Sequence, residues 1–540
     1  MRCLRFVAAL CICITLLPNL TPLRAAPKKG RIKQSKRVGQ GQLQPTIDGN
    51  PAESVKRCEK FLQDNPKHLE SLYNLAVARG QLGDTEKAMV CISRAVDAGL
   101  PFGRFLAGPR DLLRPLSDTP EFKQFAAKHP VELLHGPMLG CVTDRSAKFW
   151  VRTAQEVPVQ IILSQSDKLA TPLKSATVFT EANRDYTAIA EAERLEPDTL
   201  YYYDVLVKGK PTLGPQFPTL RTFPPAGSKA KFQIGFGGGA GYTPVHERMW
   251  DTIASHHLLS FLFLGDNVYI DNPTRPDMQR YTYYRRQSRP EYRRFIASVP
   301  LWAIWDDHDF GTNDCVPGAD KNNPPWKVPV WKVYKNNWNN PAYGGGEKNP
   351  GCWFSFSIAD VDFFMLDGRY YRANPGKQNA TMLGPVQKKW LFDELKRSRG
   401  TFRVLASPVP WVLGAKGNSR DTWRGFQAER EEIFSFLEKN KIDGVILISA
   451  DRHRSDVWRI DRPGGYPLYE FESSRLTNIH THGPQPGCLF SYNAKCSFGQ
   501  LDFDTTQDDP QVTYQIFNIE DELIHTFAVK KSQLTGKQDR

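Results

Sequence analysis

The chain has 540 residues, of which 40% are hydrophobic and 24% charged. That balance excludes a disordered or fibrous polymer and fits a core-forming protein of several domains. The formal net charge of +13 suits an anionic substrate, although it does not demand one.

Residues 1–25 have the pattern of a signal peptide. Arg2 and Arg5 precede an apolar run from Phe6 to Leu17, and Leu23-Arg24-Ala25 offers a cleavage position. No twin-Arg pair precedes that run. The later sequence has no apolar stretch long enough to cross a bilayer, so the expected product is soluble and secreted or periplasmic, with no membrane span after signal cleavage. Residues 26–47, with Lys28, Lys29, Arg31, Lys33, Lys36 and Arg37, are expected to form a basic flexible linker. No motif of a specific nucleic-acid reader accompanies these charges. Seven cysteines follow the leader without a CxxC pair, which disfavours a cysteine-rich zinc site. Cys488 and Cys496 are near enough in sequence to close a loop, but spacing alone does not pair them.

Residues 48–130 have a helical period. Ala76, Ala88, Ile92 and Ala95 put small side chains on facing helices, with Gly83-Asp84 at the turn between them. Pro66 and Leu100 lie 34 residues apart, and with Leu72 and Leu75 the segment resembles a tetratricopeptide repeat. One and a half repeats cannot bury a core alone. The segment must pack on the rest of the chain, as a spacer, or on a peptide or protein partner. Over residues 131–224 the period changes to that of strands, as in Ala147–Arg152 and Val157–Ile162. Leu195-Glu-Pro197-Asp-Thr199-Leu-Tyr201-Tyr-Tyr203 resembles the tyrosine corner of fibronectin- and immunoglobulin-like sandwiches. A small all-β sandwich with a structural role is expected there.

Residues 228–530 alternate apolar strands with helical patterns, which is the α/β arrangement. Six strands are expected, at Phe232–Phe236, Leu258–Leu264, Val299–Ile304, Val361–Leu366, Val404–Ala406 and Gly444–Ile448. Most end in polar residues, where loops gather at the carboxyl edge of a sheet. Residues 531–540 are expected to be a disordered tail.

Three strand ends carry the chemistry. Gly265-Asp266-Asn267-Val-Tyr269 places a carboxylate on a tight turn. Trp305-Asp306-Asp307-His308-Asp309-Phe-Gly-Thr-Asn313-Asp314 crowds four carboxylates, an imidazole and an amide into ten residues. Such a cluster repels itself unless cations or hydrogen bonds compensate. In Asp451-Arg452-His453-Arg454 the acid and imidazole alternate, so both can face one cleft. Oxygen and nitrogen donors together suit zinc, iron, manganese, or a mixed pair with calcium.

These clusters resemble the calcineurin-like metallophosphoesterases, and more narrowly the alkaline phosphatase D (PhoD-like) family. That family's order is also followed by Leu366-Asp367-Gly-Arg369, Leu383-Gly384-Pro-Val-Gln387, Ser407-Pro408, Asp421-Thr-Trp423-Arg-Gly-Phe426 and Glu472-Ser-Ser474-Arg. The resemblance implies a two-sheet α/β sandwich and a secreted metal-dependent phosphoesterase acting on monoesters, diesters or both. It implies two metal ions held by Asp266, Tyr269, Asp307, Asp451 and His453, with Asn313 competing with Asp307. It makes His308 the catalytic residue that assists the leaving oxygen. Asn267, Arg369 and Arg454 are candidates to hold the phosphate, while Arg452 is read as a surface salt bridge. One position departs from the family pattern. Gly239 stands where the family has a cysteine that ligates iron, so an iron–thiolate centre is not expected. His246, Glu247 or water could take the empty place, and the glycine-rich turn is either a phosphate cradle of backbone N–H groups or a plain loop. The alternative reading is a non-catalytic binder of phosphorylated ligands or partners.

Overall fold

The computed structural model describes residues 35–536. The expected signal peptide, the first part of the expected linker and the last four residues lie outside the described residues. The expected linker is corrected from Ser35 onward, where Ser35–Ile47 is a helix. It is fixed by what it touches. Leu43 is buried, Asn74 Nδ2 donates to Gly39 O at 2.8 Å, and Ser71 Oγ donates to Gln42 Oε1 at 2.9 Å. A basic composition sets the solvated face of such a segment, while a few inward side chains decide whether it folds.

Six more helices follow up to Lys128. In Thr85–Asp97, Asp84 caps the N-terminus by accepting from Lys87 N, and Ala88, Cys91, Ile92 and Ala95 are buried on one face. Gly83 makes the preceding turn at φ +75°. The core of this helical region is completed from elsewhere in the chain. Met278 and Tyr281, on the helix Pro276–Gln287, belong to the same buried cluster as Leu72, Ile92 and Phe105.

Two large sheets carry the remainder. The nine-stranded sheet runs in the order Leu523–Lys530, Gln511–Asn518, Ser497–Asp504, Lys231–Gly237, Ser260–Leu264, Leu301–Ile304, Leu133–Gly140, Ser146–Thr153 and Thr187–Glu193. Its centre is parallel, with Phe263 beside Gly237 and Ala303. The seven-stranded sheet is parallel through Val361–Met365, Phe402–Ala406, Val445–Ser449 and Leu468–Glu472. The six expected α/β strands are thus split three and three between the sheets. Their apolar side chains share one buried cluster that includes Phe236, Leu262, Ile304, Phe363, Val404 and Ile448.

The region 131–224 is not a closed unit. Its strands Leu133–Gly140, Ser146–Thr153 and Thr187–Glu193 extend the nine-stranded sheet, with Gly140 beside Leu301 in parallel. The pairing meets Leu301–Ile304 only at Leu301; farther along the same strand, Asn340 takes the Ala303 N–H and donates to its carbonyl. Pro158–Ser164 and Leu200–Val207 pair in a separate sheet. There Glu196 N donates to Tyr201 Oη at 2.9 Å, and Tyr203 Oη donates to Ala297 O at 2.6 Å, tying the region to residues before Leu301–Ile304. At the other end of the chain, the expected disordered tail begins as a 3-10 turn, Lys531–Leu534, with Leu534 fully buried. Cys488 and Cys496 are both free. Among the described residues, no helix is long and apolar enough to cross a membrane.

Candidate active site

The loops after the parallel strands of both sheets meet at a cavity of about 370 Å³. Asp266, Tyr269, Asp307, His308, Asn313 and Asp314 line it from the nine-stranded side, and Lys416, Asp451, Arg452, His453, His480 and His482 from the other. Arg37, on the first helix, reaches the rim. Asp266, Asp451 and His453 have left-handed backbones, with φ of 53°, 71° and 51°. Such φ values in non-glycine residues cost energy and concentrate at functional sites.

Tyr269 Oη donates to Asp266 Oδ2 at 2.8 Å and lies 3.0 Å from His453 Nε2. Asn478 Nδ2 donates to the same phenol at 2.8 Å. His453 Nε2 is 3.8 Å from Asp266 Oδ2. Asp266 Oδ1 is buried and accepts no hydrogen bond, a costly arrangement for a carboxylate unless a cation completes it. Burial, with Asp266 second, pushes the Tyr269 phenol well above its ordinary range. A neutral donor is therefore the resting form of Tyr269 in the chain alone.

The acidic decade 305–314 divides its labour. Asp309 is a brace, accepting from Val268 N at 2.8 Å and from Asn267 N and Asp306 N at 3.1 Å each. Asp306 pairs with Arg369. Asp307 faces the cavity, accepting from His308 N and Asp314 N, and burial raises it to about 6. His308 Nδ1 bonds Asp271. Burial alone would lower His308, but Asp266, Asp307 and Asp271 outweigh it and raise the imidazole to about 10. His308 is therefore a cation that can give up a proton.

Three expected phosphate contacts are corrected. Asn267 Nδ2 donates to Ile304 O at 2.8 Å and belongs to the brace. Arg369 is fully buried, and its Nη1 and Nη2 donate to Asp421 at 2.7 and 3.2 Å. Arg454 is fully buried, with Nε donating to Asp456 Oδ2 at 2.7 Å and Nη2 donating to Ala415 O at 2.9 Å. All three Arg369 nitrogens are spent on carboxylates or a carbonyl, and Arg454, although its Nη1 has no hydrogen-bond partner, is fully buried and not among the residues that line the cavity. Arg452, read above as a surface salt bridge, is the arginine on this strand end that lines the cavity.

The glycine-rich turn is corrected too. The N–H groups of Gly238, Gly239 and Ala240 donate to the carbonyls of Ser473, Gly265 and Asp266, so they cannot cradle a phosphate. Gly239 has φ +69°, and a Cβ there would sit 2.7 Å from Ser474 Oγ and 3.2 Å from His453 Cδ2. Neither His246 nor Glu247 fills the place. His246 Nδ1 bonds Thr477 O at 3.1 Å, and Glu247 Oε2 accepts from Trp250 Nε1 at 2.9 Å and pairs with Arg286 at 3.2 Å.

Several cavity residues were missed in the sequence. His480 and His482 each bring a ring nitrogen within 4.8 Å of one on His453; the His-x-His spacing in a Gly/Pro-rich stretch was a visible signal. Burial first, then Arg452 and His453, lower His482 to about 3. Asp271 and Lys416 had no local signal, because their partners are remote in sequence.

A family model described as PhoD-like phosphatase matches residues 234–515, and a domain of unknown function, DUF7800, matches residues 130–224. The alkaline phosphatase D of Bacillus subtilis (strain 168) is 23% identical over 347 residues, spanning 56% of this chain and 59% of that relative's length. A solved structure of PhoD superposes with a TM-score of 0.62 at 18% identity, covering 75% of this chain and 91% of that one. A purple acid phosphatase from yellow lupin (Lupinus luteus) seeds gives a TM-score of 0.53 at 11% identity, covering 74% of this chain and 75% of that one. The match over more than half the chain makes this protein a member of the PhoD-like phosphatase family.

Proposed function

We propose that this member of the PhoD-like family is a secreted, metal-dependent phosphoesterase whose active site is the cavity around Asp266, Asp307, Asp451 and His453. The observation that carries the reading is the convergence of these donors from both sheets on a cavity in which Asp266 Oδ1 is buried and accepts no hydrogen bond. The donor set fits a metal. Asp266, Tyr269 and His453 would hold one ion, and Asp307, Asp451 and Asn313 are the further candidates. Cations bound there would supply Lewis acidity toward the phosphoryl oxygens and acidify a water.

The remaining roles fall to the chain. His308, held by Asp271 and kept protonated, is placed to give its proton to the leaving oxygen. Arg452 presents a guanidinium at the cavity wall, where planar donors suit a phosphate. Asp309 and Asn267 keep the two acidic loops in register, so their part is geometric.

The test is to strip metals from the mature chain and restore calcium, manganese, zinc or iron singly and in pairs, with chromogenic mono- and diesters as substrates. Turnover that depends on metal and is lost in Asp266→Asn and His453→Ala supports the reading. No turnover with any combination, or variants equal to the parent, would sink it. Ligand binding without turnover would instead indicate a binding protein on this scaffold.

A further inference from the structure

Among the described residues, Asp307, Asp314 and Asp421 bring carboxylate oxygens within 4.8 Å of one another, a grouping able to hold a hard cation. A side chain already occupies this end of the cavity. Lys416 Nζ lies 2.8 Å from Asp421 Oδ2, 3.0 Å from Asp314 Oδ1 and 3.4 Å from Asp451 Oδ2. An ammonium has three donors, and here three carboxylates take them.

Two further facts show that this is a built arrangement. The lysine stands on a fixed loop: Trp411 N and Val412 N donate to Glu470 at 2.9 and 2.8 Å, and Arg452 Nε and Arg454 Nη2 both donate to Ala415 O. Its side chain is only 15% exposed. Asp421, in turn, accepts from Arg369 and Arg372 as well as from Lys416. A divalent ion placed here would share Asp421 with two guanidiniums that cannot leave and would have to expel the ammonium.

We infer that Lys416 is the resident cation of Asp314 and Asp421, beside Asp451, standing where a hard divalent ion would otherwise bind in the Asp307–Asp314–Asp421 grouping. Lys416 is thus a positioning residue, since its donors are spent on carboxylates and its effect reaches the reaction through Asp451. The inference rests on the proposed function only where turnover is the readout; the metal count is independent of turnover.

The experiment uses the full mature chain, metal-stripped, as parent, Lys416→Ala and Lys416→Arg. Calcium or manganese is titrated calorimetrically without substrate, and bound metal is counted by plasma mass spectrometry. Lys416→Ala should gain one bound ion per chain over the parent, while Lys416→Arg should gain none. If the reading of the cavity as a phosphoesterase site also holds, Lys416→Ala should lose about 10- to 100-fold in kcat/KM and recover most of it with millimolar calcium, whereas the parent should not respond. Equal metal counts in parent and Lys416→Ala would overturn the inference even if both hydrolyse substrate. Should Lys416→Ala not fold, crystals of the parent soaked in manganese decide the matter. An anomalous peak shared by the Asp314 and Asp421 carboxylates overturns the inference, and its absence there supports it.

Discussion

Asp266 and Asp451 occupy matching places in the two sheets. Each lies two residues past a parallel strand, Ser260–Leu264 or Val445–Ser449, and each has a left-handed backbone. Their company differs. Each keeps one buried oxygen without a hydrogen bond, Asp266 Oδ1 and Asp451 Oδ2, but Asp266 meets a phenol and an imidazole. Asp451 meets Lys416 and Arg452, which hold it below its ordinary range although burial alone would raise it. A strand end gives a carboxylate its position. The charges brought by other loops decide how much of its negative charge the chain itself compensates.

The comparison can be broken most severely at Asp266. Asp266→Asn should lower turnover by about 1,000-fold or more, because the metal's contribution to the barrier goes with the ligand, and it should remove bound metal counted by mass spectrometry. A variant with unchanged metal content would show that the unpaired oxygen has no part in ligation.

Arg369 and Arg452 sharpen the contrast between buried and cavity-facing guanidiniums. Arg369→Met leaves Asp306 without its cation, while Asp421 keeps Arg372 and Lys416, and should cost about 3–5 kcal/mol of stability, measured by denaturant unfolding. Arg452→Ala should lower the unfolding midpoint less than Arg369→Met does and raise KM about tenfold. The opposite pattern would restore Arg369 as the phosphate contact.

His308 tests the nine-stranded side by pH. Its folded pKa is raised to about 10 by carboxylates that outweigh burial, so the protonated acid, and any activity needing it, persists below that value and is lost as pH rises through it. Asp271→Asn removes one of those carboxylates. The alkaline limb of kcat should move about one pH unit lower, and a profile that does not move would exclude His308 as the acid. The smallest expected effect is at Gly239. Gly239→Ala forces a side chain into φ +69° against Ser474 and His453 and should cost about 1–3 kcal/mol, with weaker metal binding at His453 as the accompanying readout.

Much of this site was legible as local pattern. Apolar runs ending in Gly-Asp, Asp-Asp-His or Asp-Arg-His announce strand ends, and the strand period sends alternate side chains to one side. Asp266, Asp307, His308, Asn313, Asp451 and His453 could be named for that reason, and the cavity contains all of them. The arginines were misjudged because local sequence says nothing about burial: Arg452 and Arg454 are two residues apart, yet one lines the cavity and the other is sealed against Asp456. The linker was misjudged because its charges are prominent, while Gln40, Gln42 and Leu43, which dock the helix, are individually unremarkable residues.

By itself, then, the sequence determined the strand ends and the donor types at them, since these follow from neighbours along the chain, while the break in pattern at Gly239 shows only against the resemblance to the family. Only the tertiary structure decided that residues 131–224 continue the nine-stranded sheet, that the first helix reaches the cavity rim through Arg37, and that Lys416 sits among three aspartates. Those outcomes depend on edge pairing, burial and charge balance between segments far apart in sequence, and such long-range terms leave no period or spacing to read.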